Sequence, residues 1–150
     1  MKAEKTQDTA AVLEFIPAST LKSLKLPFIE NGIKAGFPSP AEDFCDLPID
    51  LNTELIKNPP ATFFSRVSGD SMINMGIHDG DLLIIDKSIE PRNNKIAVCY
   101  IDGEFTLKKI KIEKNCCWLI PANDQYKPIK VTSENEFIVW GIVTYLIKAF

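Results

Sequence analysis

The chain has 150 residues, enough for one domain plus a tail, with a core that needs no disulfide staples. Its 45% hydrophobic and 25% charged residues are both ordinary for a soluble globule. The formal net charge is −3, and residues 36–150 hold twelve Lys/Arg against sixteen Asp/Glu, so the body lacks the basic footprint of a direct duplex binder.

Residues 1–35 differ from the rest and carry five lysines and four acids. No apolar run follows Lys2 and Lys5, so no signal peptide is expected. Ala10 to Phe15 could form a helical turn, but Pro17 cuts it short. Leu21, Leu24 and Leu26 have mixed spacing and build no core alone. This stretch reads as a flexible arm that needs a surface to lie on. Gly36-Phe37-Pro38-Ser39-Pro40 then punctuates the chain as an extended connector, and the main boundary is placed there.

Residues 43–57 are mixed, with Leu51, Leu55 and Ile56 on one helical turn before Pro59-Pro60. Beyond them the chain reads as β. Strands are predicted over 62–67, 81–86, 96–101, 104–112, 117–120 and 137–147, from β-branched and aromatic content between turn clusters. Leu82-Leu83-Ile84-Ile85 reads as a strand buried on both faces. Asp102-Gly103 signals a two-residue hairpin, because a type I′ turn needs positive φ at both positions. Residues 137–147 suit a dimer contact and an ordinary core strand equally well.

Cys45, Cys99, Cys116 and Cys117 form no CxxC pair, and His78 is the only histidine, so neither a metal site nor a cofactor is expected. Four reduced thiols in a cytoplasmic protein is the simplest reading. No run approaches the ~18 apolar residues of a membrane span.

Two stretches hold candidate chemistry. In Gly69-Asp70-Ser71, Gly69 permits a tight turn that exposes a hydroxyl and nearby amides, with Gly69 and Asp70 as turn and oxyanion support. Alone, this pattern fits an ordinary turn serine. An α/β-hydrolase elbow would need glycine where Ile73 stands. A Ser-x-x-Lys motif would need lysine where Asn74 stands, and a triad would have to use His78, seven residues on in the same loop. A Ser-Lys dyad remains. In Gly103-Glu104-Phe105-Thr106-Leu107-Lys108-Lys109, strand alternation puts Lys108 on the face of Ile110 and Ile112, and Lys109 on the wet face. Burial would lower the pKa of Lys108, as a lysine base requires. Alone, this too fits a surface lysine pair.

Taken together, Ser68-Gly69-Asp70-Ser71-Met72, then Gly76-Ile77 and Asp79-Gly80-Asp81-Leu82-Leu83-Ile84, then Asp102 to Lys109, resemble the LexA/UmuD self-cleaving family. Leu119-Ile120-Pro121-Ala122-Asn123 and Tyr126-Lys127-Pro128-Ile129 extend the match, which covers about residues 33–150. Gly36 to Ala41 is similar to the UmuD subfamily, where the cleaved bond precedes that glycine. The resemblance implies a β-rich peptidase domain at 36–150 and an arm, 1–35, removed by self-cleavage between Ala35 and Gly36. It implies Ser71 as nucleophile and Lys108 as base. It also implies a homodimer in the DNA-damage response, a RecA-nucleoprotein filament as activator, and a UmuC-like Y-family polymerase as partner. Ala35 is the residue of LexA-type repressors at this position, not the cysteine of the best-known UmuD. The arm is longer than that of UmuD, yet far too short for a winged DNA-binding domain, which argues against sequence-specific DNA binding. The rival readings are a non-catalytic polymerase accessory module and a LexA-like repressor.

Overall fold

The computed structural model describes residues 16–17, 23–26, 35–36 and 48–150. Its strands are β1 (Ile16–Pro17), β2 (Lys25–Leu26), β3 (Ile49–Asp50), β4 (Thr62–Arg66), β5 (Leu82–Asp86), β6 (Ile96–Ile101), β7 (Glu104–Ile112), β8 (Cys117–Ile120), β9 (Ile129–Val131) and β10 (Phe137–Ile147). One helix, α1 (Leu51–Leu55), follows β3. Eight strands form an antiparallel sheet in the order β1-β4-β5-β10-β6-β7-β8-β9, and β2 pairs with β3 separately. The fold is therefore mainly β, as expected.

The last strand is a central one. β10 lies between β5 and β6 and bulges against each, near Thr144 and at Trp140. Both of its edges are occupied, so only its faces remain for another contact; Ile138, Tyr145 and Ile147 are exposed there. Gly141, beside the Trp140 bulge, packs so closely that an added Cβ would lie 2.5 Å from the Ile85 side chain.

β5 is buried on both faces, as its unbroken apolar run predicts: Leu83, Ile84 and Ile85 are all at most 1% exposed. Leu83, Ile85 and Val98 join Val67, Met72 and Ile77 in one apolar cluster. Ala97, Cys99, Ile110, Leu119, Val131 and Ile142 form a second. Val98 belongs to the first, and its neighbours Ala97 and Cys99 to the second, so the clusters cover opposite faces of the sheet.

The Asp102-Gly103 hairpin joins β6 to β7, with φ of 47° and 91°. Asp102 also accepts from the Glu136 backbone N–H (2.9 Å) and from Asn135 Nδ2 (2.7 Å), tying this turn to the start of β10. α1 is capped by Asp50, which accepts from Asn52 N at 3.0 Å. Of the predicted apolar turn, only Ile56 is buried; Leu51 is 49% exposed.

The arm meets the body at two described points. Ile16 and Pro17 pair with Phe64 and Phe63 on the β4 edge, where the missing proline N–H is tolerated. Lys25 and Leu26 pair with Asp50 and Ile49, and Ser23 Oγ donates to Asp50 (2.7 Å). The expected turn at 10–15, the connector at 37–40 and Cys45 lie outside the described residues.

Candidate functional site

β4 ends at Arg66, and the chain turns through Ser68–Ser71 into a short 3-10 turn, Ile73–Met75. The loop is fixed at its base by Val67 N donating to Asp81 O and Gly80 N donating to Val67 O, both 2.8 Å. Gly69 has φ +93°, a conformation side chains resist, and its N–H donates to Asp79 Oδ1 at 2.8 Å. Met72 and Ile77, each 2% exposed, anchor the loop in the first apolar cluster. Ser71 is left at the surface of that cluster, half-buried.

Lys108 comes from the middle of β7. It pairs with Ala97, whose small side chain leaves room, and shares its face with Ile110; both neighbours are 0% exposed. Lys108 itself is 7% exposed, while Lys109 is half-buried rather than fully wet. The Lys108 Nζ donates to Ser71 Oγ (3.0 Å), Thr106 Oγ1 (2.7 Å) and the Leu107 carbonyl (3.0 Å). No ion pair among the described residues includes it. Desolvation by burial therefore lowers its pKa below the ordinary lysine value, against a smaller opposing influence of the Cys99 thiol. Burial also pushes the Cys99 thiol up to about 12, so that group stays neutral.

The structure thus brings Ser71 and Lys108 together across 37 residues of sequence. A neutral amine at this distance can take the serine proton. Thr106 is a third member that the sequence reading did not single out, although two-residue alternation places it on the face of Lys108. Val67, Met72, Leu83, Val98, Phe105 and Leu107 wall a cleft beside Ser71. Its open space of about 90 Å³ suits one side chain of an extended peptide rather than a drug-sized ligand.

The support residues divide. Gly69 shapes the turn, but its N–H is already bonded to Asp79, so it is not free for an oxyanion. Asp70 is held through its carbonyl by Asn123 Nδ2 (3.0 Å) and through its carboxylate by the Tyr126 hydroxyl. Among the described residues, the N–H groups of Ser71 and Met72 have no protein acceptor. Those two amides, on either side of the Ser71 side chain, could donate to a developing oxyanion.

His78 sits elsewhere. Its Nδ1 lies 3.1 Å from Lys148 Nζ and 3.2 Å from the Gly76 carbonyl. Lys148 also bonds Asp81 at 2.6 Å and holds that carboxyl below its usual range. Ala35 and Gly36 form an exposed bend, and an added Cβ on Gly36 would meet nothing within 4 Å. Among the described residues, no cluster of His, Cys, Asp or Glu could hold a metal, and no helix is long and apolar enough to cross a membrane.

Residues 27–144 match the family described as Peptidase S24-like. The chain is 40% identical over 121 residues to protein SamA of Salmonella typhimurium, covering 81% of this chain and 84% of SamA. It is 37% identical over 135 residues to protein MucA of Escherichia coli, covering 89% and 90% of the two chains. Both are UmuD-family proteins. A LexA repressor from Alcanivorax borkumensis is 39% identical over 124 residues, 83% of this chain and 59% of the repressor.

Proposed function

This chain belongs to the Peptidase S24-like family of self-cleaving serine peptidases, as a LexA/UmuD-type protein of SOS mutagenesis, and from there we propose that it cuts its own Ala35-Gly36 bond with a Ser71-Lys108 dyad. The observation that carries this reading is the 3.0 Å contact between Lys108 Nζ and Ser71 Oγ, made by a buried lysine outside any ion pair among the described residues. Neutral Lys108 takes the proton as Ser71 Oγ attacks the Ala35 carbonyl carbon. The oxyanion forms against the Ser71 and Met72 amides. Protonated Lys108 then gives its proton to the departing Gly36 nitrogen. Water, deprotonated by Lys108, releases the Ala35 carboxylate from Ser71.

On this reading residues 1–35 are an arm that is removed and 36–150 the peptidase-like body. Ala35-Gly36 sits in an exposed bend, so the bond must move into the cleft before it is cut. A RecA-nucleoprotein filament that favours the docked arm would accelerate the reaction. The product would act in the cytoplasm as a homodimer serving a UmuC-like translesion polymerase; the shared family supports this part.

The test is intact-mass analysis and N-terminal sequencing of purified protein, with and without an activated filament. The expected products have 35 and 115 residues, the second beginning at Gly36. Any other new N-terminus refutes the bond assignment.

A further inference from the structure

The loop at 122–126 holds the serine loop through polar contacts on one side. Ala122 N donates to the Ser71 carbonyl and Asn74 N donates to the Ala122 carbonyl, both 2.8 Å. Asn123 Nδ2 donates to the Asp70 carbonyl (3.0 Å), and the Tyr126 hydroxyl donates to the Asp70 carboxylate. Asn123 is 8% exposed, and its own amide cannot flip, because its Oδ1 accepts from Gln125 N at 3.0 Å. The donor end must therefore face Asp70.

The consequence lies on the far side of the two peptide planes. The described residues contain no cis peptide, and a trans peptide points its N–H opposite to its C=O. Anchoring the Asp70 and Ser71 carbonyls on the 122–123 segment turns the Ser71 and Met72 N–H groups away from it. Neither amide has a protein acceptor among the described residues. A turn with φ +93° at Gly69 and no regular ladder would otherwise let these planes rock.

We infer that Asn123, with Tyr126 behind it, is a positioning residue: it locks the Asp70-Ser71 peptide so that the Ser71 amide is preset as an oxyanion donor. It touches neither the scissile bond nor Lys108. The inference rests on the Ser-Lys reading above. It adds a division of labour, in which residues 122–126 set the height of the rate plateau and have no part in tuning the base.

The experiment uses the full-length chain and the variants Asn123→Ala, Asn123→Asp and Tyr126→Phe. Self-cleavage is followed in single-turnover form from about pH 6 to 11. In parallel, Ser71 is titrated with a fluorophosphonate probe: the Oγ–P bond forms, the P–F bond breaks, fluoride leaves, and Lys108 takes the proton. Thermal melts report folding. Both Asn123 variants should lose about tenfold to a hundredfold in plateau rate and in labelling, approaching the loss of a whole oxyanion donor. Tyr126→Phe should lose less, in the same direction. The pH midpoint should not move in any of them, since no contact to Lys108 changes.

Tyr126 is 43% exposed, so its variant tests the idea even where Asn123→Ala folds poorly. Plateaus equal to the parent in the Asn123 and Tyr126 variants overturn the inference. So does a loss that vanishes on correction for the folded fraction, or one accompanied by a shifted midpoint. A parent that neither cleaves nor takes the probe refutes the dyad itself and this inference with it. A reactive parent beside an equally reactive Asn123→Ala refutes the inference alone.

Discussion

Ser71 and Lys108 meet at 3.0 Å, yet they are held by different kinds of structure. Ser71 rides on a loop whose placement depends on polar contacts: Gly69 with Asp79, the Ser71 carbonyl with Ala122, and Asp70 with Asn123 and Tyr126. Lys108 projects from the middle of a strand, between Ala97 and Ile110, both sealed from water. Hydrogen bonds fix direction, which a nucleophile and its oxyanion donors need. Apolar packing fixes dielectric, which sets how easily a lysine gives up its charge. Damage to the loop should therefore lower the plateau rate, and damage around the strand should move the pH profile.

The largest effect comes from removing either partner. Ser71→Ala and Lys108→Ala should show no cleavage in an overnight incubation read by gel. Lys108→Arg should be equally inactive, because arginine stays protonated at every accessible pH. Lys109→Ala should cleave within about threefold of the parent, as Lys109 makes no contact with Ser71 and a single surface change is usually small. A dead Lys109→Ala beside an active Lys108→Ala would reverse the assignment of faces on β7.

A change in the central strand that touches neither support gives the control. Gly141→Ala puts a Cβ 2.5 Å from Ile85, itself 0% exposed and unable to swing aside. Overpacking of this kind costs about 1–3 kcal/mol, measurable by urea unfolding. The cleavage rate per folded molecule should match the parent. A fall in that corrected rate would mean that sheet stability and site geometry are not separable here.

Thr106 lies on the boundary of the two systems. Its hydroxyl accepts from the Lys108 Nζ at 2.7 Å, which favours the ammonium form. Thr106→Val should move the rise in the pH-rate profile to lower pH, because the ammonium loses an acceptor that stabilises it. An unchanged midpoint with a lower plateau would place Thr106 with the orienting contacts instead.

The same contrast explains what the sequence made legible. Leu82 to Ile85 and the alternation along β7 carry periodic signals, and Asp102-Gly103 carries a turn signal, so the central sheet could be read directly. The burial of Lys108 followed from the same alternation. The three-residue strand β9 and the two-residue strands β1, β2 and β3 were not legible, because so short a stretch has no period and is decided by its partner. Lys109 was expected to be wet and is half-buried, since Ile96 and Ile120 lie directly across from it on the two flanking strands. The contacts of Asp70 with Asn123 and Tyr126 span 53 and 56 residues and leave no local trace. Ser71 and Lys108 could be singled out from sequence, but the contacts that hold the Ser71 loop could not.

The smallest effect is on stability, and it isolates the dielectric half of the comparison. Burial lowers the Lys108 pKa, so between its folded and unfolded values the unfolded chain binds one proton more than the folded chain. Stability then rises with pH through that interval. Below the interval both states are protonated, and the cost of burying the ammonium is present in full. Lys108→Met keeps the apolar stem and removes the charge. Its stability relative to the parent should be greatest below the folded pKa, and should decline as pH climbs toward the unfolded value of about 10.4. Urea midpoints for both proteins from about pH 6 to 10 measure this difference. A gap that stays flat across the range would mean that Lys108 titrates as a solvated lysine. The dyad would then have to rely on the docked arm alone to dry its base.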